Sequence, residues 1–102
     1  MTKDWNTPKD LSTLGLAAVS VFKTIAKKKD MTYTGSKVFY SPQEWADRGE
    51  SYGLKSELII QYDGSTDIRY LTELCDDVTE GLLEHGLYVE CCTGWYSAVY
   101  KM

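Results

Sequence analysis

The residue types best suited to catalysis lie near the C-terminus of the chain. The only histidine, His85, precedes the adjacent thiols Cys91 and Cys92, and Gly86 between them allows the chain to turn back. A Cys–His pair of this kind would supply a nucleophile and a base, although catalysis also needs a group that orients the base. The alternative is a surface imidazole that satisfies the last carbonyls of a helix. We favour this alternative, because short sequence separation does not establish geometry, and expect no enzymatic activity.

Metal and cofactor chemistry has little support in the sequence. Asp76, Asp77 and Glu80 are close enough to share a cation, but one helix surface does not converge the roughly six to eight oxygen ligands that Ca²⁺ prefers. The three cysteines form no CxxC pair, and EF-hand, HExxH and GxxxxGK[ST] patterns are absent from the sequence. Reduced thiols are typical of a cytosolic protein. We therefore expect a cytoplasmic protein with no cofactor and no metal.

Carboxylates dominate the segment TELCDDVTEGLLEHG, whose apolar spacing predicts one helix over about 72–85. Its acidic row comprises Glu73, Asp76, Asp77, Glu80 and Glu84. Like charges at these spacings destabilise a helix by about a few tenths of a kcal/mol each, and the helix dipole disfavours acids near the C-terminal end. Two interpretations remain open. In the first, the row is an ordinary helix surface that is solvated or paired internally, for instance with Lys27–Lys29. In the second, the row faces a basic partner.

The distribution of charge bears on that choice. Residues 1–40 carry seven Lys and three Asp, whereas residues 41–102 carry four basic and twelve acidic side chains. The acidic part repels nucleic acid, because phosphate contacts dominate that affinity, and attracts basic protein surfaces. KTIAKKKD, at 23–30, is the one candidate for nucleic-acid binding, but lysines that end a helix usually serve its dipole. We expect a protein partner and no direct contact with nucleic acid.

The elements that must position these residues follow from periodicity and turn signals. The sequence predicts a helix over about 8–28, mostly strands over 31–71, the acidic helix over about 72–85 and a hairpin over 87–101. In the first helix, Thr7 is the expected cap, Pro8 the first helical residue, and Gly15 a point of close packing. No apolar run approaches the roughly 20 residues of a membrane span. We expect a single two-layer α+β domain, an antiparallel sheet with two main helices packed on one face.

Within the region of strands, five shorter segments are predicted. Four are strands, at Tyr33, Val38–Tyr40, Glu57–Tyr62 and Ile68–Leu71, and the fifth is a short capping-box helix at Ser41–Asp47. The alternative for Ile68–Leu71 is the start of the next helix; we favour the strand.

The final hairpin supplies candidate aromatic anchors. If Thr93-Gly94 is a two-residue turn, residue 88 pairs with 99 and residue 92 with 95, so that Tyr88 and Trp95 share a face that meets solvent. Together with Trp45, these aromatics are suited to a binding surface. The alternative is that Trp95 packs beneath the loop RGESYG.

The single-domain length, the row Glu73/Asp77/Glu80/Glu84 and the lack of an active-site signature resemble small inhibitors of bacterial defence encoded by phages or mobile elements, including anti-CRISPR proteins. This resemblance implies a non-enzymatic inhibitor or adaptor in the bacterial host cytosol, which binds a basic, nucleic-acid-handling protein through carboxylates and aromatic anchors. The rival hypothesis is a homo-oligomeric structural or assembly protein, at simplest a homodimer, in which the basic first helix of one copy meets the acidic helix of the next.

Overall fold

The structure is a computed structural model that describes residues 5–30, 38–50, 52–62, 66–92 and 96–102. Within these ranges the elements are α1 (Thr13–Lys28), β1 (Phe39–Tyr40), α2 (Pro42–Asp47), β2 (Leu58–Gln61), α3 (Thr66–Glu73), α4 (Asp76–Leu83), β3 (Leu87–Cys91) and β4 (Tyr96–Lys101). The strands form one antiparallel sheet in the order β1-β2-β4-β3. The predicted α+β class is confirmed. None of the helices in the described ranges has the length and apolarity needed to cross a bilayer.

The main core lies between one face of the sheet and the helices α1 and α4. Phe22 of α1 and Leu82 of α4 are fully buried in it, together with Leu58, Ile60 and Val99 of the strands. These apolar positions recur at helical spacing in the helices and at alternate positions in β2, which explains why the two helices cover the same face. Both main helices therefore pack where the sequence predicts them.

The second face of the sheet is covered in part by α2, rather than open to solvent. The capping box predicted at Ser41 is confirmed, with the Glu44 amide and the Ser41 hydroxyl 3.0 Å apart. The helix lays Trp45 against Tyr96, with ring centroids 4.9 Å apart, and Trp45 is fully buried. The prediction that Trp45 is an exposed anchor for a partner is therefore wrong, because its indole is packed with Ile59 in a second small core.

The first helix begins later than the sequence predicts. Ser12 is its N-cap and accepts a hydrogen bond from the Gly15 amide at 3.0 Å. Thr7 does not cap the helix; its hydroxyl accepts a hydrogen bond from Lys23 Nζ at 2.7 Å. The close packing predicted at Gly15 is confirmed, because a Cβ placed there would lie 2.5 Å from the carbonyl oxygen of Glu57.

The segment predicted as a strand and one helix contains two helices. Ile68–Leu71 lies inside α3 and is not a strand, and the acidic helix predicted over 72–85 is interrupted after Glu73. Cys75 adopts an extended conformation, φ −87° and ψ 109°, and begins α4 without a side-chain cap. The break separates Glu73 from the other acids of the row. Ile68, Leu71 and Cys75 are spaced as on one helical face and are all buried in the main core, so no feature of the local sequence explains the interruption.

The hairpin has a register one residue away from the predicted one. Tyr88 pairs with Tyr100 and Cys91 with Ser97, which leaves five residues between the last paired positions rather than the even number of a two-residue turn. A shift of one residue exchanges the faces of a strand. Val99 therefore joins the main core and Tyr96 joins Trp45, opposite to the predicted arrangement. The predictions for Tyr33, Thr93-Gly94 and Trp95 fall outside the described residues.

Candidate partner-binding surface

A polar cluster joins the end of α3 to three strands. The Glu73 carboxylate accepts hydrogen bonds from Arg69 Nε at 2.9 Å, from Cys91 Sγ at 3.0 Å and from the Tyr62 hydroxyl at 3.3 Å. The Tyr62 hydroxyl is also hydrogen-bonded to the hydroxyl of Ser97, which is fully buried in β4. Glu73 thus fixes the C-terminal end of α3 over β3 and β4, and does not project into solvent as a member of a continuous row.

The electrostatics of this cluster are unsuited to thiol nucleophilicity. The hydrogen bonds from Cys91 and then from Arg69 lower the pKa of Glu73 below its ordinary value. In return, the hydrogen bond to Glu73, followed by burial, raises the pKa of the Cys91 thiol. A thiol with a raised pKa carries little thiolate at neutral pH and is a poor nucleophile.

The Cys–His pair, the less favoured of the two interpretations of these residues, does not form. His85 follows the end of α4 and Cys91 ends β3, so the length of the strand separates them. At about 3.3 Å per residue, the four steps from residue 87 to 91 alone span roughly 13 Å. Gly86 has a positive φ of 71°, as its predicted role as a helix stop requires, but the chain leaves it as an extended strand. Among the described residues, no group of three His, Cys, Asp or Glu side chains is placed to hold a metal ion.

The acids of α4 divide between its two sides. Gly81 faces α1, because a Cβ placed on it would lie 2.8 Å from Val21 Cγ1. On the same side, Asp77 Oδ2 lies 3.8 Å from Lys29 Nζ. Successive helical residues are rotated by about 100°, which directs Asp76 and Glu80 outward and toward the side of α4 remote from α1.

Part of the acidic row therefore has a local structural explanation. Asp76 and Asp77 occupy the first turn of α4, where the positive end of the helix dipole favours carboxylates. The expectation that the dipole opposes most of the row is wrong for these two residues, because the helix begins at Asp76. The expectation holds for Glu80 and Glu84, which lie at the C-terminal end of α4. Neither of them has an ion-pair partner among the described residues.

A groove of about 170 Å³ lies on the side of α4 that carries Thr79, Leu82 and Leu83. Its walls are formed by Thr72, Glu73, Thr79, Leu82, Leu83, Leu87, Tyr88 and Val89. The three residues of β3 are consecutive, although side chains of a strand alternate between faces. The groove therefore follows the edge of the sheet rather than one of its faces. Its wall residues include Glu73 but no lysine or arginine.

Exposed apolar side chains accompany this groove. Leu83 is 48% exposed and Tyr88 is 41% exposed, and both contribute to its lining. Tyr88 is stacked on Tyr100 with ring centroids 5.8 Å apart, which fixes the orientation of its ring. Of the residues predicted to contact a partner, the structure places Tyr88 in the wall of the groove and leaves Asp76 and Glu80 exposed on α4. It assigns Glu73 to the polar cluster and Asp77 to the contact with α1.

Sequence reasoning missed the partners of Glu73 and the importance of β3. Arg69 stands four residues before Glu73, a spacing that indicates a helical ion pair once the segment is known to be helical. Tyr62 and Ser97 come from distant strands, and no local pattern indicates their contact. No protein-family model, curated protein or solved structure matches this chain.

Proposed function

We propose that this protein is a non-enzymatic inhibitor or adaptor that binds a basic, nucleic-acid-handling protein in the cytoplasm of a bacterial host. One observation carries the proposal: Asp76, Glu80 and Glu84 are exposed on α4 without an ion-pair partner among the described residues, and a groove beside the same helix exposes Leu83 and Tyr88. Carboxylates steer association with a basic surface, and desolvated aromatic and aliphatic anchors supply most of the affinity. In such a complex Asp76, Glu80 and Glu84 occupy the sites on the partner that nucleic-acid phosphates otherwise fill.

The internal contacts of the chain weigh against the homo-oligomeric rival. That hypothesis needs the basic end of α1 to meet the acidic helix of another copy. Instead, α1 packs on α4 of the same chain through Val21 and Gly81, and Lys29 already reaches Asp77. The charge complementarity of these two helices is therefore partly satisfied within one molecule, although Lys27 and Lys28 stay exposed.

The proposal is tested by retention of bacterial lysate proteins on the immobilised domain at low salt, followed by elution with rising salt. We expect a nuclease, polymerase or similar enzyme to elute at moderate salt, because screening weakens the attraction between exposed charges. The variant Glu80→Lys with Glu84→Lys should reduce this retention at least about tenfold.

The double variant leaves Asp77 in contact with Lys29, so loss of retention does not arise from a disturbed α1–α4 interface. Lys substitutions at Asp47 and Asp10, which are exposed and lie outside α4, provide a control with the same change in net charge. If the double variant and the control retained the partner equally well, the acids of α4 would not be part of the binding surface. Failure of the unmodified domain to retain any nucleic-acid-handling protein would overturn it.

A further inference from the structure

The two edges of the sheet differ in how their backbone groups are satisfied. At the β1 edge the side chain of Asn6 takes the place of another strand. Its Oδ1 accepts hydrogen bonds from the amides of Val38 and Phe39 at 2.9 and 3.1 Å, and its Nδ2 donates to the carbonyl of Phe39 at 2.8 Å. Trp5 packs beside this contact, with its ring centroid 5.9 Å from that of Phe39. The β1 edge is thus closed to another chain at this position.

None of the described residues covers the opposite edge, β3, in this way. The Met102 amide donates to the carbonyl of Gly86 at 2.9 Å, which makes residues 86 and 102 a hydrogen-bonded pair. Hydrogen-bonded and non-hydrogen-bonded pairs alternate along an antiparallel ladder. The N–H and C=O groups of Leu87 and Val89 therefore point away from β4, and among the described residues they have no partner.

The composition of β3 protects this edge only through the exposed charge of Glu90, which disfavours an acidic strand but not a basic one. Natural edge strands usually carry proline, lysine or a bulge that prevents another strand from pairing. LYVEC contains neither proline nor lysine, and it pairs with β4 in unbroken register from Leu87 to Cys91. The groove lined by residues 87–89 follows the same edge, so a strand that paired with β3 would lie along it.

We propose that the β3 edge binds an extended basic segment of the partner protein as a fifth, antiparallel strand of the sheet. This inference rests on the proposed function and specifies how the partner is held. Backbone hydrogen bonds to Leu87 and Val89 supply the pairing, as in other cases of strand addition. The chemistry of the groove then selects the side chains of the bound segment.

That selection follows from which residues share a face. Segment residues directly opposite Leu87 and Val89 direct their side chains to the α4 side of the sheet. There a lysine or arginine lays its aliphatic stem over Leu83 and extends its charged group to Glu80 or Asp76. The intervening residues lie on the face of Tyr88, where apolar side chains fit. The bound segment therefore alternates basic and apolar residues.

A second copy of this chain is a poorer occupant of the same edge. Pairing of β3 with β3 of another molecule would bring the carboxylates of Asp76, Glu80 and Glu90 close to their counterparts. Like charges brought together across an interface cost binding free energy. Charge complementarity thus favours a basic segment over self-association.

The test uses synthetic peptides in which arginine and valine alternate. Their length of about six residues matches the five-residue β3. Binding is followed from the backbone amide resonances of the isotopically labelled protein. We expect the peptide to shift the amide resonances of Leu87 and Val89, and a peptide alternating glutamate and valine to shift neither at concentrations up to about millimolar.

Methylation of selected peptide nitrogens provides the matched control. In the proposed register the amides of the arginines face β3, whereas those of the valines face away. Methylation of the arginine nitrogens should weaken binding at least about tenfold, and methylation of the valine nitrogens should change it less than about threefold. Neither peptide alters the protein, so a folding defect cannot produce the difference.

A pair of protein variants checks the contribution of charge. Glu80→Lys should reduce the affinity for the arginine–valine peptide at least about tenfold. Asp10→Lys makes the same change in net charge at a position that precedes α1, and it should leave that affinity within about twofold. Both variants must retain the thermal midpoint of the unmodified protein to within a few degrees.

Three results would overturn strand addition. These are equal affinity for both methylated peptides, no binding of any peptide, and shifts of Leu87 and Val89 with protein concentration alone, which would assign the edge to a second copy. The proposed function is tested independently of these outcomes. If salt-sensitive retention of a nucleic-acid enzyme persists while the methylated peptides bind equally, only the edge inference is wrong. If the peptides bind as expected but no such enzyme is retained, the proposed function is wrong.

Discussion

Lys29 Nζ lies 3.8 Å from Asp77 Oδ2, so the basic end of α1 meets the first turn of the acidic helix α4 within one molecule. This contact resolves one part of the question raised by the acidic row, because Asp77 is paired internally. It does not involve Glu80, which is exposed and has no ion-pair partner among the described residues. The row that is continuous in sequence therefore serves two different surfaces.

The Lys29–Asp77 ion pair should contribute little to stability. Its side chains are 31% and 56% exposed, and exposed ion pairs contribute about 0–1 kcal/mol, less at high salt. We expect a double-mutant cycle with Lys29→Ala and Asp77→Asn, measured by urea unfolding, to give a coupling free energy below about 1 kcal/mol. A coupling above that value that persists in molar salt would contradict this expectation.

Gly81→Ala should destabilise the protein even though alanine is the better helix former. Propensity alone favours alanine by about 1 kcal/mol, but the new Cβ would lie 2.8 Å from Cγ1 of Val21, a β-branched side chain that cannot turn aside freely. We expect a net loss of about 1–2 kcal/mol in the free energy of unfolding, as is typical of overpacking.

The same substitution in a Val21→Ala background tests the cause, because removal of the valine methyl groups makes room for the new Cβ. Here Gly81→Ala should be neutral or stabilising relative to Val21→Ala alone. Gly15→Ala should not be rescued by Val21→Ala, since its Cβ would meet the backbone carbonyl of Glu57 at 2.5 Å. A Gly81→Ala protein as stable as the unmodified one would show that the α1–α4 interface is looser than its geometry indicates.

Local signals in the sequence were sufficient for the features that depend on local backbone chemistry. The capping box at Ser41, the close approach at Gly15 and the helix stop at Gly86 are all found in the structure. Each arises from a few neighbouring residues whose preferred conformations agree with the fold. The same holds for the β-branched strand that contains Ile59 and Ile60.

Features that depend on distant contacts were not predictable in this way. The break at Cys75 contains neither glycine nor proline, and Cys75 and Val78 are spaced as on one helical face, so no local signal predicts the interruption. The register of β3 on β4 differs from the simplest turn by a single residue, which is enough to exchange the exposed and buried sides of β4. The open edge of β3, which carries the binding inference, becomes visible only once the strand order is known.

Glu73→Gln should make Cys91 more reactive. The carboxylate raises the pKa of the Cys91 thiol by accepting its hydrogen bond and by its negative charge. Its removal lowers that pKa toward the ordinary value and increases the thiolate fraction, on which alkylation depends. In a Cys92→Ser background, we expect the rate of alkylation of Cys91 by iodoacetamide at pH 8 to rise at least about twofold.

Glu90→Gln is the matched control, because Glu90 contributes to the raised pKa of Cys92 but not to that of Cys91. In the same background it should leave the alkylation rate of Cys91 unchanged. An unchanged or slower rate in Glu73→Gln would show that the carboxylate does not hold the thiol in its protonated form.

Glu73 should also make stability depend on pH in the acid range. Its pKa is lower in the folded protein than the ordinary value of 4.5, so the stabilisation is present above 4.5 and is lost as pH falls through the folded pKa. In Glu73→Gln this acid-dependent loss is absent, and the fall in the free energy of unfolding below pH 4.5 should be shallower. Denaturant unfolding across that range measures the difference, and parallel profiles for the two proteins would refute the assignment.

Tyr62→Phe should destabilise the protein at neutral pH. The Tyr62 hydroxyl is hydrogen-bonded to Ser97, which is fully buried, and the loss of such a hydrogen bond costs about 0.5–1.5 kcal/mol. Tyr52→Phe is the control, because Tyr52 is 76% exposed and its substitution should change the free energy of unfolding by less than about 0.5 kcal/mol.

The cost of Tyr62→Phe should diminish in alkali. Burial raises the pKa of Tyr62 well above the ordinary value of 10.0, whereas in the unfolded chain the phenol ionises near that value. The unfolded state thus loses a proton that the folded state keeps, and stability falls as pH rises above 10. Phenylalanine removes this contribution, so the difference in free energy of unfolding between the two proteins should be smaller at pH 11 than at pH 7. A difference that stays constant or widens would show that Tyr62 ionises at similar pH in both states, and that the core around Ser97 is accessible to solvent.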